Sequence, residues 1–446
     1  MKIKSIYKYL VIAVIAVIMG ACTSTEVDPK FDQGPTERLN ARKKELNDLL
    51  LSSAEGWKAV YYTDSTQLGG FTHVFKFLPE GKVEMASDFD DTTTKQTSQY
   101  EIQLGSTVSL VFTTQNRIHL LSDAANFPTA ALLGKGYLGD FQFFYYGQEN
   151  GQIIFRTNRN GHEVRFVKAT DEDWTDLAGS ALMNNHITGT ATSPLFRLIE
   201  INDGTSVKQY EFNFNTNARF GTATSLIPNS NDSFNVAVAY TAEGASVKPA
   251  VKVKDQKLTN FVYDAATNNF VATGTGGVTA TIKFTNTPPI LTDDYKMLLP
   301  GRPLAVFGYY PGDYIEDAST NSVLFKQELA KVDDLLPAGQ AISSIQIYMN
   351  HSLGNFIYYT FVGRGAIFHF VDVVEDAEGK KVILKHKSWS GNTTAPAPPF
   401  LAAFDSHLTD PNGIYFKREN FKIGYTNTVF TFTSSSSSFR MSAWEL

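Results

Sequence analysis

Residues 71–77 read Phe71-Thr72-His73-Val74-Phe75-Lys76-Phe77, and residues 153–166 run from Ile153-Ile154-Phe155 through a turn at Asn160-Gly161 to Glu163-Val164-Arg165-Phe166. A strand sends successive side chains to opposite faces, so the alternation at 71–77 marks a half-buried strand. Asn-Gly accepts the positive φ values of a two-residue turn, so 153–166 reads as a hairpin. Outward from these, short strands fit at 57–62, 83–85, 98–104, 107–113, 139–147, 151–157 and 162–168, with Pro79-Glu80-Gly81-Lys82 as a turn. The rhythm resumes over 195–285 and again over 344–349, 356–362, 366–373 and 381–387. Many short strands with few helices predict an all-β chain of two β-rich regions, built as meander sandwiches or barrel-like sheets.

Three helices interrupt this rhythm. Leu39, Leu46, Leu49 and Leu50 share one face of a helix that Gly56 ends. Thr170 followed by Asp171-Glu172-Asp173 is a capped helix start, with acids in the first turn. Val323 to Leu336 is amphipathic and closes at Pro337. The expected organisation is a signal peptide at 1–21, a polar tether at 22–35 and a helix-plus-meander domain at 36–170. A connecting helix at 171–194 and a larger β region at 195–446 follow, with a subdivision placed near 288–320.

Residues 1–22 decide the expected address. Lys2, Lys4 and Lys8 precede an apolar run from Leu10 to Met19, about half the roughly 20 residues of a membrane span. Cys22, the single cysteine, closes Met19-Gly20-Ala21-Cys22, which resembles a bacterial lipobox. Cys22 is therefore the expected lipidation site, carrying palmitate-type acyl chains. Two or more such chains hold a protein at a membrane where one does not. Loss of 1–21 removes three of 39 basic residues and no acid, leaving 36 against 45 and a net charge of −9. That balance carries no basic footprint for nucleic acid.

The glycine run Gly134-Lys135-Gly136-Tyr137-Leu138-Gly139 matches a dinucleotide fingerprint in letters only, because an aromatic strand and not a helix follows it. Asp88, Asp90 and Asp91 read as solvated loop acids, and His119 with Asp123 as a hydrogen-bonded structural pair. Eight scattered histidines show no zinc spacing, although His351, His369 and His386 fall on neighbouring strands. No nucleophile-elbow, Walker or SxxK pattern occurs. The expectation is a non-enzymatic protein with no catalytic residues, metal or cofactor. Aromatic doublets are the remaining feature: Tyr61-Tyr62, Phe143-Phe144-Tyr145-Tyr146, Tyr309-Tyr310 and Tyr358-Tyr359. Each puts one ring inward and one outward, either to cover the sheet or as a stacking platform for a flat ligand. Tyr145, Tyr146, Tyr309 and Tyr310 are the candidate ligand-binding residues.

The Arg38 helix, Gly56-Trp57, Tyr61, Gly69-Gly70-Phe71 and Phe75-Lys76-Phe77 form one recognisable set. Ile118-His119-Leu120-Leu121-Ser122-Asp123 and Gly136-Tyr137-Leu138-Gly139-Asp140-Phe141-Gln142-Phe143 form a second. Together they resemble the Bacteroidetes lipoprotein family called domain of unknown function 4302, best over about residues 30 to 170. Gln142 departs from the acid expected between the two phenylalanines. The resemblance implies an outer-membrane lipoprotein, often encoded beside TonB-dependent transporter and lipoprotein pairs of the starch-utilisation type, and it implies no chemistry. The expected function is binding that serves capture or uptake of a nutrient such as a glycan. The alternatives are an interaction component of a surface lipoprotein complex and a hydrolase.

Overall fold

A computed structural model describes residues 34–446. The signal peptide, Cys22 and nearly all of the tether lie outside the described residues. The chain is all-β, and its strands close three times in succession into antiparallel barrels of eight. The first barrel runs from β1 (Trp57–Tyr62) and β2 (Gly70–Leu78) to β8 (Glu163–Lys168), which pairs back through Trp57↔Lys168 and Lys58↔Val167. The second runs from β9 (Phe196–Asp203) to β16 (Val278–Thr285), joined from Phe196↔Thr285 to Asp203↔Val278. The third runs from β17 (Ala305–Tyr309) to β24 (Arg440–Glu445), closed by Phe307↔Glu445 and Gly308↔Trp444. Region 195–446 thus contains two barrels, with the chain crossing between them at 286–304. Closure removes the unpaired edges that open sheets expose.

The alternation read at 71–77 aims Phe71, His73, Phe75 and Phe77 inward, all buried. Phe75 stacks on Phe166 at 4.9 Å between centroids and on Phe112 at 5.3 Å. Phe416, Phe430 and Phe307 fill the third barrel in the same way, with rings 4.8 to 5.2 Å apart. The second barrel takes smaller side chains, including Val236, Val238, Val247, Ala272 and Ala280. Eight strands leave an interior that side chains just fill. The barrel interiors are filled by these side chains.

Helices seal the barrels. Helix α1 (Pro35–Leu51) buries Leu46 and Leu50 against the first, where the Trp57 indole donates to the Leu50 carbonyl at 3.0 Å. Helix α2 (Asp171–Thr188) starts at the expected cap, where the Thr170 amide donates to Asp173 Oδ2 at 2.9 Å. Lys58 of the first barrel also pairs with Asp173. Helices α3 (Val323–Leu335) and α4 (Ala402–Leu408) cover the third barrel through Phe325 and Phe404. Among the described residues, no helix is long and apolar enough to cross a membrane.

Candidate functional site

The seam between the first and second barrels is closed. Arg219, in the turn after β10 (Val207–Asn215), reaches into the first barrel and donates from Nη1 to the Gly70 carbonyl at 3.0 Å and to Asp88 Oδ2 at 3.2 Å. Its Nη2 donates to the Asp88 carbonyl. The guanidinium lies between two rings, 4.1 Å from the centre of Phe71 and 4.6 Å from that of Tyr240. Asp88 also accepts the Thr72 amide at 2.8 Å. Asp88 is fully buried, against the solvated loop acid that the spacing predicted, whereas Asp90 and Asp91 are exposed and Asp90 pairs with Arg117 at 2.5 Å. Gly69 makes the contact possible: a Cβ there would lie 2.3 Å from the Val238 carbonyl oxygen.

The seam between the second and third barrels is open. A groove of about 520 Å³ runs along it, lined by residues of all three barrels. The first barrel supplies the 128–130 loop. The second supplies the outer faces of β10 and β11 (Phe220–Ser225), with Asn213, Asn215, Thr222 and Thr224. The third supplies Lys417 to Ile423, beginning on β22 (Ile414–Arg418). Strand alternation explains the chemistry, because Phe212, Phe214, Ala223 and Phe416 point into their barrels and leave amides, hydroxyls and charges on the outside. The phenyl rings of Phe220 and Phe421 supply the apolar part of the wall. Lys417 Nζ and Glu211 Oε1 span the seam at 3.4 Å.

A smaller cavity of about 60 Å³ adjoins the groove and shares Glu211, Asn213, Lys417 and Glu419 with it. Arg197 and Arg440 line this space. Arg197 donates to the Ile187 carbonyl at 2.7 Å and the Thr188 carbonyl at 3.1 Å, and Arg440 donates to the Thr320 carbonyl at 2.6 Å. Burial, together with the neighbouring Arg440 charge, pulls Arg197 down to about 10, so it stays cationic at neutral pH. Burial also lowers Arg440, against the pull of Glu419 and Glu211. The groove and the adjoining cavity together combine fixed cations, carboxylates and side-chain amides with two phenyl rings.

The four candidate tyrosines do not converge. Tyr145 is buried in the first barrel, with its hydroxyl donating to Glu45 Oε1 at 2.6 Å. Tyr309 is buried in the third, edge-on to Phe325 at 4.9 Å. Both belong to cores and present no surface to a ligand, because each is the inward member of its doublet. Tyr146 is 55% exposed on the first barrel under Arg156. Tyr310 lies on the third, beside a Trp444, Tyr425 and Tyr314 cluster with successive centroids 6.4, 5.0 and 5.7 Å apart. The Tyr358-Tyr359 doublet divides in the same way, with Tyr359 in the core and Tyr358 on an outer wall against Phe368 at 4.6 Å.

Other expected constellations resolve individually. His119 receives the Asn116 amide at 3.2 Å and stacks on Phe141, whereas Asp123 accepts the Ala125 amide, so the two do not pair. Among the described residues, no group of three or more His, Cys, Asp or Glu side chains is placed to hold a metal ion. His369 and His386 do meet, but His351 packs apart from them against Tyr348 and Phe356.

Three filled barrels and an open seam between the second and third define an all-β protein. Residues 27–265 match the family described as "Domain of unknown function (DUF4302)", more than half of the chain, and the chain belongs to that family. No curated protein matches it. Among solved structures, it is similar to the DNA polymerase III beta chain of Streptococcus pneumoniae at 9% identity, over 91% of this chain and 97% of that one, with a TM-score of 0.16. The Borrelia burgdorferi DNA polymerase III subunit beta, in complex with a natural product, aligns at 9% identity over 92% and 97%, with a TM-score of 0.15. Likeness at that level carries no argument about fold or function.

Proposed function

We propose that the protein is a non-enzymatic binding lipoprotein, anchored in the outer membrane through Cys22, that captures a nutrient for a TonB-dependent transporter system. The observation that supports this is the groove. It is concave, lies between domains and mixes planar amides and hydroxyls with two phenyl rings, as small-molecule sites do. That lining suits a neutral oligosaccharide, whose hydroxyls pair with amides and carboxylates and whose apolar sugar faces lie on rings. Arg197, Arg440 and Lys417 are held by carbonyls or a carboxylate, so they are positioned before a ligand arrives.

The test is calorimetric titration of a neutral oligosaccharide panel into residues 23–446, which retain every described element. Binding that falls at least tenfold in Phe421→Ala and in Asn213→Ala, but not in Tyr146→Ala on the distant first-barrel surface, is the expected result. No binding by any member of the panel sinks the reading. The anchor is tested separately: Cys22→Ala moves the protein out of the membrane fraction, and unchanged retention counts against lipidation.

A further inference from the structure

Away from the groove, the third barrel carries a polar chain that the binding reading does not use. β20 (Arg364–Asp376) and β21 (Lys381–Trp389) pair as neighbours and bring His369 next to His386, with His369 Nε2 2.8 Å from His386 Nδ1. The other nitrogen of His369, Nδ1, lies 2.8 Å from Asp405 Oδ1 on α4. That oxygen also accepts the Tyr359 hydroxyl at 2.7 Å. His369, Asp405 and Tyr359 are buried, and His369 stacks on Trp389 at 4.0 Å, so its ring is fixed in plane and in position. His386 is exposed and its ring can tip.

From this we infer that His369 and His386 form a two-histidine chelating site for a divalent transition-metal ion, copper before zinc. A carboxylate on Nδ1 holds that proton in place and leaves Nε2 as the lone-pair donor, which is how metal-binding histidines are oriented by their outer partners. The Tyr359 hydroxyl on the same oxygen holds Asp405 in turn. The 2.8 Å between the two nitrogens is the length of an N–H···N hydrogen bond. Two imidazole nitrogens bound cis on one ion, each about 2.0 Å away and about 90° apart, keep that separation but turn their lone pairs about 45° from the line between them. The ring of exposed His386 therefore has to swing for the pair to chelate. A tetrahedral ion needs about 3.3 Å, so the pair matches the tetragonal preference of Cu²⁺ and Ni²⁺ more closely than that of Zn²⁺. Without metal, one shared proton bridges the nitrogens. Binding releases that proton to water, swings the exposed His386 ring toward the ion and leaves the remaining coordination positions to water or a second ligand.

The experiment is titration of CuSO₄ into tag-free residues 23–446 at neutral pH, followed by tryptophan fluorescence and calorimetry. One equivalent binds and quenches Trp389, more tightly than ZnSO₄ under the same conditions. His386→Gln, a surface change that leaves the fold intact by circular dichroism, weakens copper binding more than tenfold. Asp405→Asn weakens it by about tenfold, the usual cost of losing an outer partner. Trp389→Phe keeps the calorimetric signal and loses most of the quenching, which locates the ion. Copper binding of equal strength in His386→Gln overturns the site. So does a loss in His351→Gln as large as that in His386→Gln, because that outcome marks adventitious binding to exposed imidazoles.

Discussion

At the seam between the first and second barrels, the Arg219 and Asp88 side chains are 5% and 0% exposed; at the seam between the second and third, Lys417 and Glu211 are 29% and 16% exposed. Both seams use one cation and one carboxylate on facing barrels. In the first, both Nη atoms of Arg219 and both carboxylate oxygens of Asp88 are taken up by each other, two carbonyls and an amide, between two rings, and the glycine at 69 lets the backbones touch. In the second, the pair spans a space large enough for a ligand. An ion pair that is sealed positions two domains, whereas one that stays wet leaves its groups available to a third molecule. The two junctions therefore differ in how far their charges are sealed from solvent, and substitutions can separate them.

The largest expected effect is on the closed seam. Arg219→Met leaves Asp88 buried without a counter-charge, and breaking such a pair costs about 3–5 kcal/mol. Urea unfolding measures it. Burial already pushes the Asp88 carboxyl upward against the pull of Arg219. Without Arg219, the folded carboxyl titrates above the unfolded one, so the variant's deficit is greatest at neutral pH and shrinks as pH falls. A deficit below about 1 kcal/mol at pH 7 would mean that the closed seam is no stronger than the open one.

The next effect is smaller and also belongs to the dry side. His73 sits in the first-barrel core with both ring nitrogens unpartnered, and burial, with Arg117 and Arg219 adding to it, drives it down to about 3. The unfolded chain then binds a proton that the folded chain refuses between about pH 6.5 and pH 3. Stability therefore rises with pH across that window and falls on acidification, by up to about 1.4 kcal/mol per pH unit. Denaturation at pH 6.5 and pH 4.5 should show this slope, reduced in His73→Leu. An unchanged slope in His73→Leu would assign the acid sensitivity elsewhere.

How much of this contrast was legible depends on how far apart in the chain the partners lie. The inward register of Phe71 to Phe77, the hairpin at 153–166 and the cap at Thr170 are local patterns that the structure realises. Thr72 and Val74 on the other face are buried as well, however, and the hairpin turns through residues 158–162, with Gly161 alone at positive φ, rather than through a two-residue turn. Closure is not local: β1 returns to β8, and β9 to β16, through registers that no short window specifies. Arg219 and Asp88 are 131 positions apart, and nothing around Asn217-Ala218-Arg219 distinguishes it from an ordinary exposed turn. The doublets marked inward and outward rings correctly as a class, yet two of the four tyrosines chosen from them, Tyr145 and Tyr309, are the inward ones. Hydrophobic flanks at Phe143 and Phe307, on the same face as each of those two, carried that signal. The groove lay out of reach because its walls come from three barrels, and outward Asn and Thr residues look alike whether they meet solvent or another domain.

The smallest stability effect falls on the open seam. Lys417→Ala removes a partly exposed pair, and such pairs contribute about 0–1 kcal/mol because water solvates either partner once it is alone. Urea unfolding should therefore place this variant within about 1 kcal/mol of the parent, several-fold less than Arg219→Met. Its binding should change more than its stability. Lys417 lines both the groove and the adjoining cavity, and without it Glu211 turns from a paired carboxylate into a free one beside Asn213. Any ligand that draws hydrogen bonds from this corner then meets altered charge and loses a positioned donor, while the barrels on either side keep their filled cores. A large stability loss in Lys417→Ala with unchanged oligosaccharide affinity would reverse the assignment and make the open seam a structural joint like the first.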